Sequence, residues 1–403
     1  MISAWAISLW ESKQLSYFEG MKRYFWSAVF VLILATYIIG ILIPGARHIA
    51  ETDAVSYWAA AQLLIHHQNP YDQQAVLQLE HSVGFRASVP LVMRNPPYAL
   101  FLTLPFAFLS PSLFGMLWAI ATVLCILISV RLLWAYVRND GPVPPVVYAF
   151  APFLACVIIG QSSAFMLLGV SLFLRWHQNR PFLAGMSLVL AAIKPHILLP
   201  FFIVVLCWMI VHRTCRLFAG TAIGFLTALS IALYFKHSIV ADYLPELQRG
   251  NVVFTTCIGS GMRYLLNRNV VWLQFIPCAL ACSWAIWYFF HSEWEWNRQG
   301  LLVLIISLWA APYSWPFDEV IAFPAVLYFI AQRTSLRTFY VLNFAAVAML
   351  VSGIRADAIA YLWTSTAWLG WYLLSIRSTQ SRRAQSPFWA AIVKNVRRHH
   401  ATL

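Results

Sequence analysis

Residues 24–43, YFWSAVFVLILATYIIGILI, contain no charge, and this run limits the fold more than any other feature. A helix that crosses a bilayer needs about 20 apolar residues, and comparable runs recur to the end of the chain. With 61% hydrophobic and only 10% charged residues, the chain has too few charges to coat a soluble surface. The sequence predicts an all-α, polytopic transmembrane protein forming a single domain over 1–403. The first run starts beyond residue 20, exceeds a signal-peptide core of about 7–15 residues and lacks a clear A-x-A site, so cleavage is not expected. Seven cysteines (125, 156, 207, 215, 257, 278 and 282) show no C-x-x-C spacing, which argues against a disulfide framework or a zinc site. The net charge of +13 fits topology signals and anionic lipid headgroups better than nucleic acid.

Lys13, Lys22 and Arg23 precede the first run, while Arg377, Arg382, Arg383, Lys394, Arg397 and Arg398 follow the last. The positive-inside rule places both ends in the cytoplasm and requires an even number of crossings. Further basic clusters at Arg131/Arg138, Arg175/Arg180, Arg213/Arg216, Arg298 and Arg333/Arg337 can all be cytoplasmic. The matching helices run over 24–43, 112–136, 144–159, 163–176, 182–193, 197–211, 215–235, 270–290, 300–313, 317–332, 336–353 and 357–376, about twelve in all. Residues 98–109 then form a short helix that enters the membrane without crossing. Alternatively 98–109 crosses, and 182–211 becomes one helix kinked at Pro195. Residues 44–97 form a first external loop with helical structure, 236–269 a second, and 377–403 a basic cytoplasmic tail. This topology gathers Glu51, Asp53, Asp72, Glu80, Asp242, Glu246, Asp318, Glu319 and Asp357 on the external side, with Arg94, Gln161, Lys194, His196 and Arg263. Polar groups at membrane depth are costly unless they line a wet cavity, so this face is where a site is expected.

Asp53 precedes AVSYWAAAQLLIHH, a short helix on which Tyr57 is a candidate sugar or acceptor contact. Its bland role is an N-cap, accepting backbone N–H groups at the helix start. An aspartate held at a helix N-terminus stays ionised and also suits a general base. Asn69-Pro70-Tyr71-Asp72 reads as the turn that ends this helix. Arg94 stands before Pro96 and Pro97, which fit a first helical turn; it is placed either to anchor the interface or to bind phosphate. Gly160-Gln161 forms a tight turn in which Gln161 suits a sugar hydroxyl. Lys194 interrupts an apolar run before Pro195 and His196, at an insertion cost of roughly 2.5–3.5 kcal/mol. Snorkelling at a break is the alternative to binding a phosphate. Asp318 in SWPFDE interrupts another apolar run, and Arg263 in the second loop is a further anion-binding candidate. The Gly-Ser-Gly stretch at 259–261 reads as a generic turn. No nucleotide-binding, zinc-protease or serine-hydrolase motif occurs.

In order, DAVSYWAAAQLL…NPYD, NPPYALFLTLPFAFL, GQSSAFMLLGVSLFL, AGMSLVLAAIKPHILLPFF and YSWPFDE resemble the polyprenyl-phosphate-mannose-dependent glycosyltransferases of family 87, with the GT-C fold. The resemblance covers roughly residues 50–320; beyond it only hydropathy agrees. It implies an inverting enzyme of the bacterial cytoplasmic membrane whose site faces outward. The donor would be a polyprenyl-phosphate hexose, most often mannose, and the acceptor a glycolipid or glycan. By position Asp53 would be the catalytic base, Gln161 and Lys194 the GQ and KP motif residues, and Asp318 a late polar position. Ser163 stands where the family commonly has Asn. Lys194, Arg94, His196 and Arg263 would offer positive charge to the departing phosphate; Gln161, Tyr57 and Asp318 would contact sugar or acceptor. A monophosphate leaving group can be held by cations, so no metal or other cofactor is expected. The alternatives are a transporter or flippase, which would place its site nearer the midplane, and a silent scaffold, which leaves Lys194 without a use.

Overall fold

The computed structural model describes residues 49–138, 142–248, 256–332, 335–355 and 359–385. The expected first span at 24–43, the start of the first loop and residues 386–403 of the basic tail lie outside these. Among the described residues the protein is helical throughout, without strands. A 3-10 turn at Ile49–Glu51 leads into α1 (Ala54–Ile65), then α2 (Gln73–Ser82). Two 3-10 turns, Pro97–Leu102 and Leu104–Phe106, stand where a short α-helix is expected. Pro105 explains the break between them, because proline lacks the N–H that a continuing helix needs.

Next come α3 (Pro111–Arg138), α4 (Ala151–Ile159), α5 (Ser163–Trp176), α6 (Pro181–Ala191), α7 (Leu199–Val211) and α8 (Cys215–Phe235). Residues 236–269, the expected second loop, carry α9 (Ile239–Gln248) and α10 (Ile258–Leu266), followed by α11 (Ile276–His291) and α12 (Leu301–Ala310). The chain closes with α13 (Phe323–Ala331), α14 (Leu336–Val351) and α15 (Thr364–Gln385). Residues 259–261 therefore lie in a helix rather than a turn. A Cβ on Gly259 would meet the Gln274 carbonyl oxygen at 2.3 Å, so its smallness serves packing.

Several expected spans divide into a 3-10 turn and a following α-helix: Pro145–Ala149 before α4, Val271–Phe275 before α11, and Asp318–Ala322 before α13. In each the α-helix has proline in its first turn (Pro152, Pro277, Pro324), where the missing N–H has no helical partner to lose. Among the described residues three stretches are long and apolar enough to cross a membrane: Pro111–Val137, Cys215–Phe235 and Val271–His291. The remaining apolar helices are shorter, and the count of about twelve crossings rests on hydropathy alone.

Helices α5, α6 and α8 pack in sequence, with α3 on the other side of α5. Small residues bring α6 and α8 into backbone contact: a Cβ on Gly220 would lie 2.0 Å from the Phe182 carbonyl oxygen, and one on Gly185 would lie 2.2 Å from that of Leu217. The Pro97–Leu102 turn lies against α8, and the Asp318–Ala322 turn is wedged between α4 and α5. These contacts bring the polar segments of the sequence together.

Candidate functional site

Two breaks in the helices build the site. The first lies between α4 and α5. Gly160 ends α4 in the left-handed region (φ +79°), where the carbonyl of Cys156 accepts from the N–H groups of both Gly160 and Gln161. A Cβ on Gly160 would sit 3.2 Å from the backbone nitrogen of Ala54, so glycine also permits close approach to the start of α1. The Asp53 N–H donates to the Ile159 carbonyl (2.8 Å), and the Trp118 indole N–H donates to that of Gly160 (2.9 Å). The turn is thus fixed to α1 and α3.

The second break separates α6 from α7. The residue before a proline disfavours helical dihedrals, and Lys194 adopts φ −126°, ψ 77° ahead of Pro195. The single kinked helix over 182–211 is not formed. Breaking a helix orphans its last carbonyls. Here Tyr98 Oη donates to the carbonyl of Ala192 (2.8 Å) and Asn95 Nδ2 to that of Ile193 (3.0 Å). Tyr71 Oη in turn donates to the Asn95 carbonyl (2.9 Å). The NPPY segment and the NPYD turn thereby hold open the break that displays Lys194.

Asp53, Tyr57, Gln161, Lys194 and Asp318, scattered over 266 positions of sequence, meet in one network. Gln161 Nε2 donates to Asp53 Oδ2 at 2.5 Å. Lys194 Nζ donates to Gln161 Oε1 (3.0 Å), Ser163 Oγ (3.1 Å) and Asp318 Oδ1 (2.7 Å), and lies 4.7 Å from the Phe317 ring centroid. Tyr57 Oη lies 2.9 Å from Gln161 Oε1 and 3.0 Å from Ser162 Oγ, accepts from the Ser162 N–H, and its ring stacks on Trp118. Ser163 Oγ donates to Asp318 Oδ1, and Asp318 Oδ2 accepts from the Trp315 N–H (3.0 Å). Asp318 is 1% exposed and Lys194 12%, a buried ion pair.

Asp53 occupies the first position before α1, yet its side chain caps nothing. The capping role falls to Asp72, which accepts from the N–H groups of Gln74 and Ala75 at the start of α2. Asp72 has the extended backbone that aims a side chain back at the helix end; Asp53 has helical dihedrals that do not. Dense packing around the Asp53 carboxyl pushes its pKa above the usual carboxylate range, opposed by the Gln161 hydrogen bond and the Lys194 charge. Burial likewise holds the Tyr57 phenol above its ordinary 10, so it remains a donor.

The other proposed cations differ from expectation. His196 stacks on Tyr313 with ring centroids 3.9 Å apart, and burial drives its pKa down to about 3, with Lys194 adding to the shift and Asp318 opposing it. That shift favours the uncharged imidazole, the opposite of what a cationic phosphate ligand needs. Arg263 is 3% exposed; its Nε donates to the Arg268 carbonyl and its Nη1 to Gln274 Oε1. That guanidinium braces α10 against the Val271–Phe275 turn. Arg94 stays 46% exposed, with its Nε 3.6 Å from a Glu246 carboxylate oxygen on α9. In the sequence Ser163 stands out only as a departure from the resembled pattern, yet it bridges Lys194 and Asp318. Its signal was a small hydroxyl two residues after Gln161, on the first turn of α5. Among the described residues no group of three or more His, Cys, Asp or Glu is arranged to hold a metal.

A family model, glycosyltransferase family 87, matches residues 94–316, which is more than half of the chain. No curated protein and no solved structure matches. The matched span includes Arg94, Gln161, Ser163 and Lys194, and the fold adds Asp53 and Asp318 from either side of it. With the membrane-length helices, the match identifies the chain as a member of glycosyltransferase family 87, a membrane glycosyltransferase.

Proposed function

We propose that the protein transfers a hexose, mannose in the first instance, from a polyprenyl-phosphate donor to a hydroxyl of a glycolipid or glycan. In this reading it lies in a bacterial cytoplasmic membrane with both termini inside, and the reaction takes place on the outer face. The observation that carries the reading is the Asp53–Gln161–Lys194–Asp318 network, a carboxylate base and a cation held in one polar cluster among apolar helices.

The acceptor hydroxyl gives its proton to Asp53 as its oxygen forms a bond to the anomeric carbon. The bond from that carbon to the phosphate oxygen breaks, its electron pair leaving with the polyprenyl phosphate. Attack opposite the leaving group inverts the anomeric centre. All three Lys194 N–H groups face protein partners, whereas Arg94 presents a half-exposed guanidinium, so Arg94 is the stronger candidate for the departing phosphate. Cations suffice for a leaving monophosphate, and the chemistry calls for no metal. The apolar helices around the network suit the polyprenyl chain.

Asp53→Asn keeps the shape and removes the base. Purified in detergent with a polyprenyl-phosphate mannose donor, it should lose roughly 100- to 10,000-fold in transfer, the usual worth of a general base. Wild-type transfer by Asp53→Asn would refute the assignment.

A further inference from the structure

Gln161 lies between a cation and an anion, and that settles which way its amide points. An ammonium group has only donors, so the Gln161 atom 3.0 Å from Lys194 Nζ must be the carbonyl oxygen. The NH₂ group then faces Asp53 Oδ2, an acceptor when ionised. Tyr57 Oη approaches the same Oε1 at 2.9 Å from the other helix, its ring fixed on Trp118 at 4.7 Å. An amide held at one end by two donors cannot flip, and Gln161 itself is only 9% exposed. Asp53 has no side-chain cap bond to orient it, and among the described residues its other oxygen, Oδ1, accepts no hydrogen bond.

We propose that Gln161 is a positioning residue, clamped through Oε1 by Lys194 and Tyr57, which fixes the Asp53 carboxylate by Oδ2 and leaves Oδ1 as the atom that takes the acceptor proton. This reassigns Gln161 and Tyr57 from sugar contacts to supports of the base. It also gives Lys194 a second use: besides neutralising Asp318 it orients the amide. The proposal rests on the reading of Asp53 as the base. Lys194, Glu80 from α2 and the Tyr57 phenol on its own helix interact electrostatically with Asp53, and Asp318, paired with Lys194, acts on Tyr57.

The test is an infrared titration of the Asp53 carboxyl in the full-length protein in detergent, the band being identified by its loss in Asp53→Asn. It needs no substrate. Gln161→Met removes the donor and should move the midpoint to higher pH by about one to two units, the equivalent of one hydrogen bond to a charged group. Tyr57→Phe touches no atom of Asp53, yet it should move the midpoint in the same direction by less. It deletes only one hydroxyl, so it reports even if Gln161→Met fails to fold. An unmoved midpoint in Tyr57→Phe and in any folded Gln161→Met overturns the clamp, whatever the activity of Asp53→Asn. Wild-type transfer by Asp53→Asn overturns the base, and with it the catalytic meaning of the clamp, whichever way the midpoint moves.

Discussion

At the scale of single residues, burial decides what each ionisable group can do. Lys194 and Asp318 sit in the interior only because each cancels the other, with Ser163 adding a second donor to Oδ1 of Asp318 and the Trp315 N–H satisfying Oδ2. Removing one partner of such a pair strands a charge, which typically costs about 3–5 kcal/mol. Lys194→Met should therefore lower Tm in detergent substantially, and the double variant Lys194→Met/Asp318→Asn should recover part of the loss. Equal losses in the single and double variants would mean that the pair does not couple. His196 shows the opposite outcome: packed on Tyr313 beside Lys194, it avoids the cost of a buried charge by staying neutral.

At the scale of elements, the site depends on places where helices stop. The Gly160 turn and the Pro195 break bring backbone and side chains from two helix ends to α1. Gly160→Ala would put a Cβ on a left-handed residue and press it against Ala54, costing about 1–2 kcal/mol in backbone strain. Because the Asp53 N–H is anchored to Ile159, the same change should shift the proposed base. Transfer should fall roughly 10- to 100-fold, since displacements of about 1 Å cost that much in catalysis. Activity within twofold of wild type would show that the turn does not set the position of Asp53.

At the scale of the whole molecule, pH should act on stability through the segment that carries α2. Glu80 is fully buried, with both carboxylate oxygens accepting from the Leu91 N–H, and burial pushes its pKa from an ordinary 4.5 to about 7. Between those values the folded protein keeps a proton that the unfolded chain has lost, so this group's contribution falls as pH rises through the window. Glu80→Gln cannot titrate, and its amide oxygen can still accept from Leu91. Its Tm relative to wild type should rise from pH 4.5 to 7 and then level off. A constant difference across that range would show that Glu80 does not titrate as described.

The sequence by itself determined the class of the molecule, because hydropathy is a local property that any long uncharged run displays. The expected helices at 163–176 and 215–235 appear with the same bounds, and the break at Pro195 follows from proline's missing N–H. The polar residues that depart from the apolar pattern, Asp53, Gln161, Lys194 and Asp318, were legible as oddities, and the topology grouped them on one face. Their partnerships were not legible. That Asp72 caps and Asp53 does not depends on two pairs of backbone dihedrals. That Arg263 braces a turn while Arg94 stays half exposed depends on which elements pack beside them. Only the tertiary structure decided that Gln161 bridges a lysine and an aspartate 141 residues apart, because hydrogen bonds reach about 3 Å and sequence separation says nothing about that distance.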